Sequence, residues 1–178
     1  MIGDGAGGLW LGTWEKIGRL RDGRYSSVEP SAGLPETDPR AFFQDSRGWL
    51  WIGLRYEGVS VTREPAADNP TFLNYSHEQG QLSSNAVRSI MEDHGRIYFG
   101  TDRGLDRFDP NTNQWTHFTK QDGLAGNYIN EVLSDRNGFI WIASEEGGIS
   151  RFDPRKEKAA STPPVSYTHL TLPTIYSV

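Results

Sequence analysis

The tripeptide Arg55-Tyr56-Glu57 brings together three side chains of the kind that bind carbohydrates. The guanidinium of Arg55 offers a fork of N–H donors, the ring of Tyr56 can stack on a sugar, and the carboxylate of Glu57 accepts hydrogen bonds. An exposed surface turn could have the same composition, so that alternative stays open. The tripeptide predicts a turn that binds an oligosaccharide or another small ligand.

Three other turn segments carry charged or hydrogen-bonding side chains, and we predict that they join the same binding surface: Asp102, Arg103, Asn127, Tyr128, Glu145 and Glu146. Asp102 and Arg103 could instead pair with each other, which would contribute less than about 1 kcal/mol. Glu145 and Glu146 could bind a cation or accept sugar hydroxyls. Adjacent strand residues point to opposite faces, however, so a solvated turn is the alternative.

Other kinds of site find little support in the sequence. The four histidines, His77, His94, His117 and His169, show no His-x-x-x-His spacing and no evident partner that would orient a general base. The absence of cysteine excludes thiolate nucleophiles and cysteine-ligated zinc. The stretch "GDGAGG" matches Gly-x-Gly-x-x-Gly, but a strand pattern follows it, which predicts a hairpin and not a dinucleotide site. We predict no catalytic residue, no metal and no cofactor.

The composition narrows the classes of partner. The net charge of −5 and the pI near 5.4 argue against a nucleic-acid binder, because phosphate contacts need clustered Lys and Arg. With 35% hydrophobic residues and a mean hydropathy of −0.61, the chain contains no apolar run of about 18 residues, which predicts no membrane segment. The beginning of the sequence lacks the basic and apolar regions of a secretory signal.

A repeated segment supplies the scaffold for these turns. It occurs four times, as "DGAGGLWLGT" from Asp4, "DSRGWLWIGL" from Asp45, "DHGRIYFGT" from Asp93 and "DRNGFIWIAS" from Asp135. Its aromatic position is filled by Trp10, Trp51, Tyr98 and Trp141, which are 41, 47 and 43 residues apart. Each copy consists of short alternating apolar segments separated by Gly, Asp, Asn and Pro, which is typical of strands and turns.

A repeat of this length with four short strands predicts an all-β fold, a partial β-propeller of about four blades that are each a four-stranded antiparallel sheet. The predicted blades span residues 1–30, 31–77, 78–120 and 121–154. The first blade is expected to lack its inner strand and the last its outer strand, which gives fourteen strands. Closed propellers typically have at least four blades and often six to eight, so we interpret the chain as a fragment.

The repeat also predicts structural roles. Asp45 with Gly48, and Asp135 with Gly138, should close hairpins, because the carboxylate accepts turn amides and glycine allows a positive φ. The four aromatic residues should pack between blades. The repeated arginine, present as Arg19, Arg107 and Arg151, is expected to face solvent or to pair with an aspartate of its own blade. The variable turns are then left on one rim of the blades, where ligands usually bind.

The order of Gly-Leu, "VRSIMED", "FIWIAS" and "GGISRFDP" resembles the two-component regulator propeller repeat over residues 1–154. The resemblance implies the extracytoplasmic, periplasmic sensor region of a bacterial hybrid histidine kinase, which binds an oligosaccharide or another small ligand and is not an enzyme. It also implies that the remaining blades and sensor domains of the parent chain are its partners. A protein–protein interaction scaffold and a propeller lyase are the alternative functions.

Residues 155–178 fit no repeat. Their end, "VSYTHLTLPTIYSV", resembles translated sequencing-adapter read-through and follows a Pro-containing, basic stretch. We therefore predict that this tail is artefactual or disordered and exclude it from the candidate site.

Overall fold

The computed structural model of the protein describes residues 1–14, 16–35, 38–154 and 165–167. The chain forms four antiparallel sheets of four strands, and each sheet consists of strands that are consecutive in sequence. Its helical elements are the short 3-10 turns Pro30–Ala32 and Lys120–Asp122. The predicted all-β fold is confirmed.

Within each sheet the strands pair in chain order. The first sheet contains β1 (Ile2–Gly3), β2 (Leu9–Gly12), β3 (Ile17–Arg21) and β4 (Arg24–Ser27). The second contains β5 (Pro39–Gln44), β6 (Leu50–Leu54), β7 (Val59–Thr62) and β8 (Leu73–Tyr75). The third contains β9 (Val87–Asp93), β10 (Arg96–Thr101), β11 (Gly104–Asp109) and β12 (Gln114–Phe118), and the fourth contains β13 (Ile129–Ser134), β14 (Ile140–Ser144), β15 (Gly148–Phe152) and β16 (Val165–Tyr167).

The predicted strand count of fourteen is wrong, because both terminal sheets have four strands. The short β1 pairs with β2 through Ile2 and Trp10, so the first blade has an inner strand of two residues, too short to show a pattern. The backbone of β16 pairs with β15 and completes the fourth sheet. β16 belongs to the segment 155–178 that was predicted to lie outside the repeats. The rest of that segment is outside the described residues.

The four sheets follow one another around a common side. The inner strand of each sheet contacts the inner strand of the next, so that β5 lies between β1 and β9, and β9 lies between β5 and β13. Adjacent first strands are the expected arrangement for blades that fan around an axis. The fold is therefore a partial β-propeller.

Three buried layers fill the spaces between successive sheets, and each layer contains the repeated aromatic residue of the preceding sheet. Trp10 lies in the first layer, Trp51 in the second and Tyr98 in the third, and all three side chains are at most 1% exposed. Trp141 of the fourth sheet is half-buried. The recurrence of this aromatic position along the chain thus places one large aromatic side chain in each of the three layers.

The second layer is an aromatic cluster. The ring centroid of Trp51 lies 5.6 Å from that of Phe99 and 5.8 Å from that of Phe108, both in edge-to-face orientation. Trp115 stacks on Phe108 at 4.7 Å. Such pairs contribute about 0.5–1.5 kcal/mol each beyond the burial of their area, so this layer holds the second and third sheets firmly together.

An aspartate connects the hairpin of the second sheet to its layer. One carboxylate oxygen of Asp45 accepts hydrogen bonds from the amides of Arg47 (3.0 Å) and Trp49 (2.8 Å), and the other accepts one from Nε1 of Trp51 (3.0 Å). Gly48 has a φ of 82°, a conformation that glycine adopts without strain. A single side chain therefore fixes both the turn and the orientation of the buried indole.

The fourth sheet repeats this arrangement. Asp135 accepts hydrogen bonds from the amides of Asn137 (2.8 Å) and Phe139 (3.0 Å) and from Nε1 of Trp141 (2.8 Å), and Gly138 has a φ of 78°. The hydrogen bond from the Trp141 indole, followed by that from the Phe139 amide, holds the pKa of Asp135 below its usual range. The ionised carboxylate is thus the form that closes the hairpin.

The first and third hairpins are variants. Asp4 accepts hydrogen bonds from the amides of Ala6 (2.8 Å) and Gly8 (2.7 Å), and a strand follows, so "GDGAGG" forms a hairpin. The hairpin turn of the third sheet is one residue shorter than those of the other copies. His94 (φ 48°) and Gly95 (φ 76°) form a two-residue turn in which both residues are in the left-handed region. Both variants keep the following aromatic residue in its layer.

The expectation that the repeated arginine faces solvent or pairs within its own blade is wrong for Arg19. Its side chain is buried, and Nη1 donates to the carbonyl oxygens of Pro65 (3.0 Å) and Ala67 (2.6 Å), in the loop between β7 and β8. Nε1 of Trp10 donates to the same Pro65 oxygen at 3.1 Å. Buried carbonyl groups need donors, and here the first blade supplies them to the second.

A buried carboxylate fixes the loop between β8 and β9. One oxygen of Asp106, which is fully buried, bonds to Nδ1 of His117 at 2.7 Å. The other accepts hydrogen bonds from the amide (2.9 Å) and hydroxyl (3.0 Å) of Ser83. The hydrogen bond that His117 donates to Asp106 raises the pKa of His117 against the opposing effect of burial. The loop between β8 and β9, which contains Ser83, is therefore tied to the third sheet by a charge-assisted contact.

We expect the substitution Trp51→Ala to destabilise the protein by about 3–5 kcal/mol, because it empties a fully buried site in the aromatic layer. Arg55→Ala, which removes an ion pair at a largely solvated turn, should cost less than about 1 kcal/mol. Urea unfolding of both variants measures the difference. Equal losses of unfolding free energy would contradict the assignment of Trp51 to the core and Arg55 to the rim.

We expect the contribution of His117 to stability to depend on pH. Because the folded pKa is raised, the stabilisation is complete below the unfolded value of about 6.5 and is lost as the pH rises through the folded value. His117→Gln should therefore destabilise more at about pH 5.5 than at about pH 8.5. In an Asp106→Asn background the same substitution should show no such pH dependence; an unchanged dependence would assign it to another group.

Candidate functional site

A cavity of about 280 Å³ lies on the rim between the second and third blades. This volume is near the lower end of the range for small-molecule sites. Its lining is mostly polar and charged and comes from four separate segments: Arg40, Arg55, Tyr56, Ser84, Asn85, Ala86, Val87, Arg88 and Asp102. The cavity is partly open to solvent, and the turns after β6 and β10 contribute Arg55, Tyr56 and Asp102 to its lining.

Strand register brings these segments to one edge. Pro39 at the beginning of β5 pairs with Leu54 at the end of β6, so the turn at 55–57 adjoins Arg40. Val87 at the beginning of β9 likewise pairs with Thr101 at the end of β10, which places the turn at 102–103 beside Arg88. Inner strands therefore begin where the variable turns lie, as the prediction of a shared rim requires.

The second blade contributes two arginines and an exposed ring. Arg55 and Arg40 both approach the same carboxylate oxygen of Asp38, at 3.4 Å from Nη1 and 3.7 Å from Nε respectively. The guanidinium of Arg55 lies over the ring of Tyr56 at 5.1 Å, and Tyr56 is 61% exposed. The shared carboxylate holds the two arginines side by side, while a large part of the Tyr56 ring is available for contact.

Arg88 is held by an aromatic residue of the fourth blade. Its guanidinium carbon lies 4.2 Å from the ring centroid of Tyr128, and its Nη2 donates to the Tyr128 hydroxyl. No carboxylate among the described residues forms an ion pair with Arg88, and its buried Nε has no hydrogen-bond partner there. The arginine is thus oriented by Tyr128 but not neutralised.

The third blade adds a negatively charged hydrogen-bond acceptor, the carboxylate of Asp102. Oδ1 of Asp102 is buried and has no hydrogen-bond partner among the described residues. Asp102 makes no ion pair with Arg103, so the alternative in which the two neutralise each other is not realised. In contrast, Asn85 is fully engaged within its loop, since it accepts from the amide of His77 (2.8 Å) and donates to Glu78 (3.0 Å). It shapes the cavity wall.

The predicted site residues divide into two groups. Arg55, Tyr56 and Asp102 line the cavity, and Tyr128 adjoins it through Arg88. The remaining predicted residues are outside the lining: Glu57, Arg103, Asn127, Glu145 and Glu146. The side chains of Glu57, Arg103, Glu145 and Glu146 are exposed.

Asn127 has a structural contact of its own. Its side-chain oxygen accepts a hydrogen bond from the amide of Lys120 at 2.8 Å, at the beginning of the second 3-10 turn. Glu145 meets the same region only through its backbone, because its amide donates to the carbonyl oxygen of Tyr128 at 2.9 Å. The turn of the fourth blade therefore supports Tyr128 and does not reach the cavity with its carboxylates.

Reasoning from variable turns alone does not identify Arg40 and Arg88, because both belong to inner strands. The signal that could have found Arg88 is its place in "AVRSIME", where a charged residue stands between the buried Val87 and Ser89 at the beginning of a strand. Within the described parts of the chain, no group of three or more His, Asp or Glu side chains could hold a metal ion.

Comparison with known proteins agrees with this architecture. Residues 33–56 and 123–146 match the model of the family described as "Two component regulator propeller". Both matches begin at a Gly-Leu turn, cover the first hairpin of a blade and end in the variable turn after β6 or β14. No curated protein matches the sequence.

Three solved structures show the same fold. The extracellular domain of the "putative hybrid two component system BT3049" from B. thetaiotaomicron is 24% identical, with a TM-score of 0.60, over 89% of this chain and 27% of its own. That of BT4673, of the same description and organism, is 19% identical, with a TM-score of 0.71, over 93% and 21%. A luciferin-regenerating enzyme has a TM-score of 0.52 at 14% identity, over 90% and 57%.

The chain thus spans about a quarter of the length of the two extracellular domains. None of the described residues forms a helix with the length and apolar character needed to cross a membrane. The two matched segments and the four-sheet architecture confirm the family resemblance that the sequence predicts: residues 33–56 and 123–146 match the two-component regulator propeller repeat and lie in a partial β-propeller.

Proposed function

We propose that the chain is part of the ligand-sensing, extracytoplasmic region of a bacterial two-component signalling protein, and that it binds an oligosaccharide or another small ligand in the rim cavity. The remaining blades and sensor domains of the parent chain are its partners, and the periplasm is its location. The ligand contacts Tyr56, Arg55, Arg88 and Asp102. The chain itself performs no catalysis.

One observation carries the proposal. Four chain segments from two blades converge on one cavity and present an exposed ring, three guanidinium groups and a carboxylate. The scaffold of hairpins and aromatic layers does not require these side chains, because the equivalent turn of the fourth blade carries exposed glutamates and an equally regular sheet. Polar groups that converge on a concave surface without a role in packing are typical of binding sites.

The comparisons support the sensing role and the location. The two extracellular domains reported above belong to proteins described as hybrid two component systems. A propeller at the outer surface of such a protein has its rim free for recognition while its blades are held by their neighbours. The same blade architecture occurs in an enzyme, so the fold by itself does not decide between sensing and catalysis.

The arrangement of the polar residues argues against hydrolysis or elimination. Ser83, Asp106 and His117 form a hydrogen-bonded Ser-Asp-His group, but the aspartate lies between the other two and bonds to both. A catalytic triad needs the histidine between serine and aspartate, so that it can accept the serine proton. The histidine therefore does not activate Ser83 as a nucleophile, and the group supports the loop.

A thermal unfolding screen against a panel of neutral and acidic oligosaccharides tests the proposal, because a ligand that binds only the folded state raises the Tm. We expect at least one glycan to raise the Tm of the wild-type chain. Tyr56→Ala should weaken binding of that glycan roughly tenfold, since it removes the stacking ring. Tyr25→Ala is the matched control, because Tyr25 is 50% exposed on β4 and is not part of the cavity.

Two results would contradict the proposal. One is the absence of any stabilisation by the panel, together with a protein partner that the wild type retains and Tyr56→Ala loses; this would favour the interaction scaffold. The other is an equal loss of glycan binding in Tyr56→Ala and Tyr25→Ala, which would place the binding surface elsewhere on the blades.

A further inference from the structure

We propose that the ligand of the rim cavity is an acidic sugar, whose anionic group binds to Arg88 while one of its hydroxyl groups donates to Asp102. This inference rests on the proposed function, because it assumes that the cavity is the binding site. It adds the chemical class of the ligand, which neither the family resemblance nor the fold specifies.

Arg88 is the arginine of the cavity that lacks a carboxylate partner among the described residues. It is half-buried, and the other two arginines of the cavity share Asp38, whereas no described carboxylate pairs with Arg88. Its Nε–H is buried without an acceptor among the described residues. A buried donor of a charged group that is left without a partner is destabilising, and an oxyanion in the cavity would remove that cost.

Tyr128 prepares Arg88 for this role. Its ring lies beneath the guanidinium at 4.2 Å and its hydroxyl accepts from Nη2. These contacts fix the plane of the guanidinium and leave its remaining N–H groups, Nε–H included, for a ligand. A planar, pre-oriented fork matches the two oxygens of a carboxylate or the face of a sulfate. Little conformational freedom is then lost on binding.

The charge around the cavity favours an anion. Three arginines line it against a single aspartate, although the whole chain has a net charge of −5. Asp38 is shared between Arg40 and Arg55, so one carboxylate compensates two guanidinium groups. A positive cavity on a negative protein attracts anionic ligands selectively, and the attraction decreases as salt increases.

Asp102 distinguishes an acidic sugar from a simple anion. Its buried Oδ1 lacks a donor among the described residues. A sulfate or phosphate ion would satisfy Arg88 but would bring a like charge near Asp102 and leave this oxygen unsatisfied. A ligand that carries both an oxyanion and hydroxyl groups satisfies both atoms, and its ring can contact Tyr56. Uronic acids and sulfated sugars are compounds of this class.

The experiment uses matched pairs of ligands, measured by isothermal titration on the full chain at low salt. Digalacturonate is compared with its methyl ester, which keeps the rings and hydroxyls but not the charge, and glucuronic acid is compared with glucose. A sulfated N-acetylgalactosamine is compared with unsulfated N-acetylgalactosamine, which separates carboxylate from sulfate as the source of the charge. Inorganic sulfate tests the anion alone.

We expect the charged member of at least one pair to bind about tenfold or more tightly than the neutral member, and inorganic sulfate to bind weakly. Arg88→Gln should reduce the affinity for the acid by about 10- to 100-fold and leave that for the neutral partner unchanged. Arg136→Gln is the matched control, because Arg136 is an exposed arginine in the hairpin at the other end of a blade. Unchanged circular dichroism and Tm would show that each variant is folded.

Asp102→Asn tests the second contact. The substitution keeps a hydrogen-bond acceptor but removes the charge. It should therefore lower the affinities for the acidic sugar and for its neutral partner by similar factors of a few-fold. If Asp102→Asn instead raises the affinity for the acidic sugar and leaves that for the neutral sugar unchanged, Asp102 repels the ligand. The proposed hydrogen bond from a ligand hydroxyl group to Asp102 is then wrong.

The two levels of the proposal fail in different ways. A neutral glycan that binds as tightly as its acid, in the wild type and in Arg88→Gln alike, overturns the acidic ligand but leaves the rim cavity as a binding site. Binding of neither member of any pair, together with no stabilisation by the glycan panel, overturns both. If inorganic sulfate binds as tightly as the acidic sugars, the cavity is a site for anions in general, and the proposal that its ligand is a sugar is wrong.

Discussion

The structure depends on the burial of one aromatic side chain against the next sheet. β6 shows the constraint most clearly, since all five of its residues are buried: Leu50, Ile52 and Leu54 lie in the layer shared with the first sheet, and Trp51 lies in the layer shared with the third. A sheet that is apolar on both faces cannot stand alone in water. The second sheet therefore needs a neighbour on both faces, and a strand buried like β6 has little freedom to vary, whereas the outer strand β4 is exposed along its length.

This constraint assigns recognition to the turns. The hairpins at one end of the blades are also restricted in sequence. Asp45 and Asp135 each accept hydrogen bonds from two turn amides and from the tryptophan indole of the following strand. At the opposite end, where inner strands begin, the turns after β6, β10 and β14 are not closed by an aspartate that bonds to a tryptophan indole in the described structure. The exposed side chains of these turns can therefore change without loss of packing. The rim cavity lies at this end, at the junction of two blades.

The parts that could be predicted from the sequence are local. The spacing of Trp10, Trp51, Tyr98 and Trp141 reflects a four-stranded unit, and the aspartate hairpins are closed within five residues, so both leave a pattern in the chain. The grouping of Arg40, Arg88 and Asp102 leaves none, because it depends on the angle between two sheets. For the same reason Arg19 looks like a solvent-facing repeat position, although it is buried by the loop of the next blade.

Two carboxylates of the third blade show how the binding site differs from the scaffold. Asp106 is fully buried and has both oxygens satisfied, by His117 on one side and by Ser83 on the other. Asp102, four residues earlier, has a buried oxygen with no donor in the described structure. Buried polar groups of a folded scaffold are almost always paired, because an unpaired one costs about 1–3 kcal/mol. Arg88 lines the same cavity with an unpartnered donor, so the rim retains one donor and one acceptor, which a bound ligand would pair.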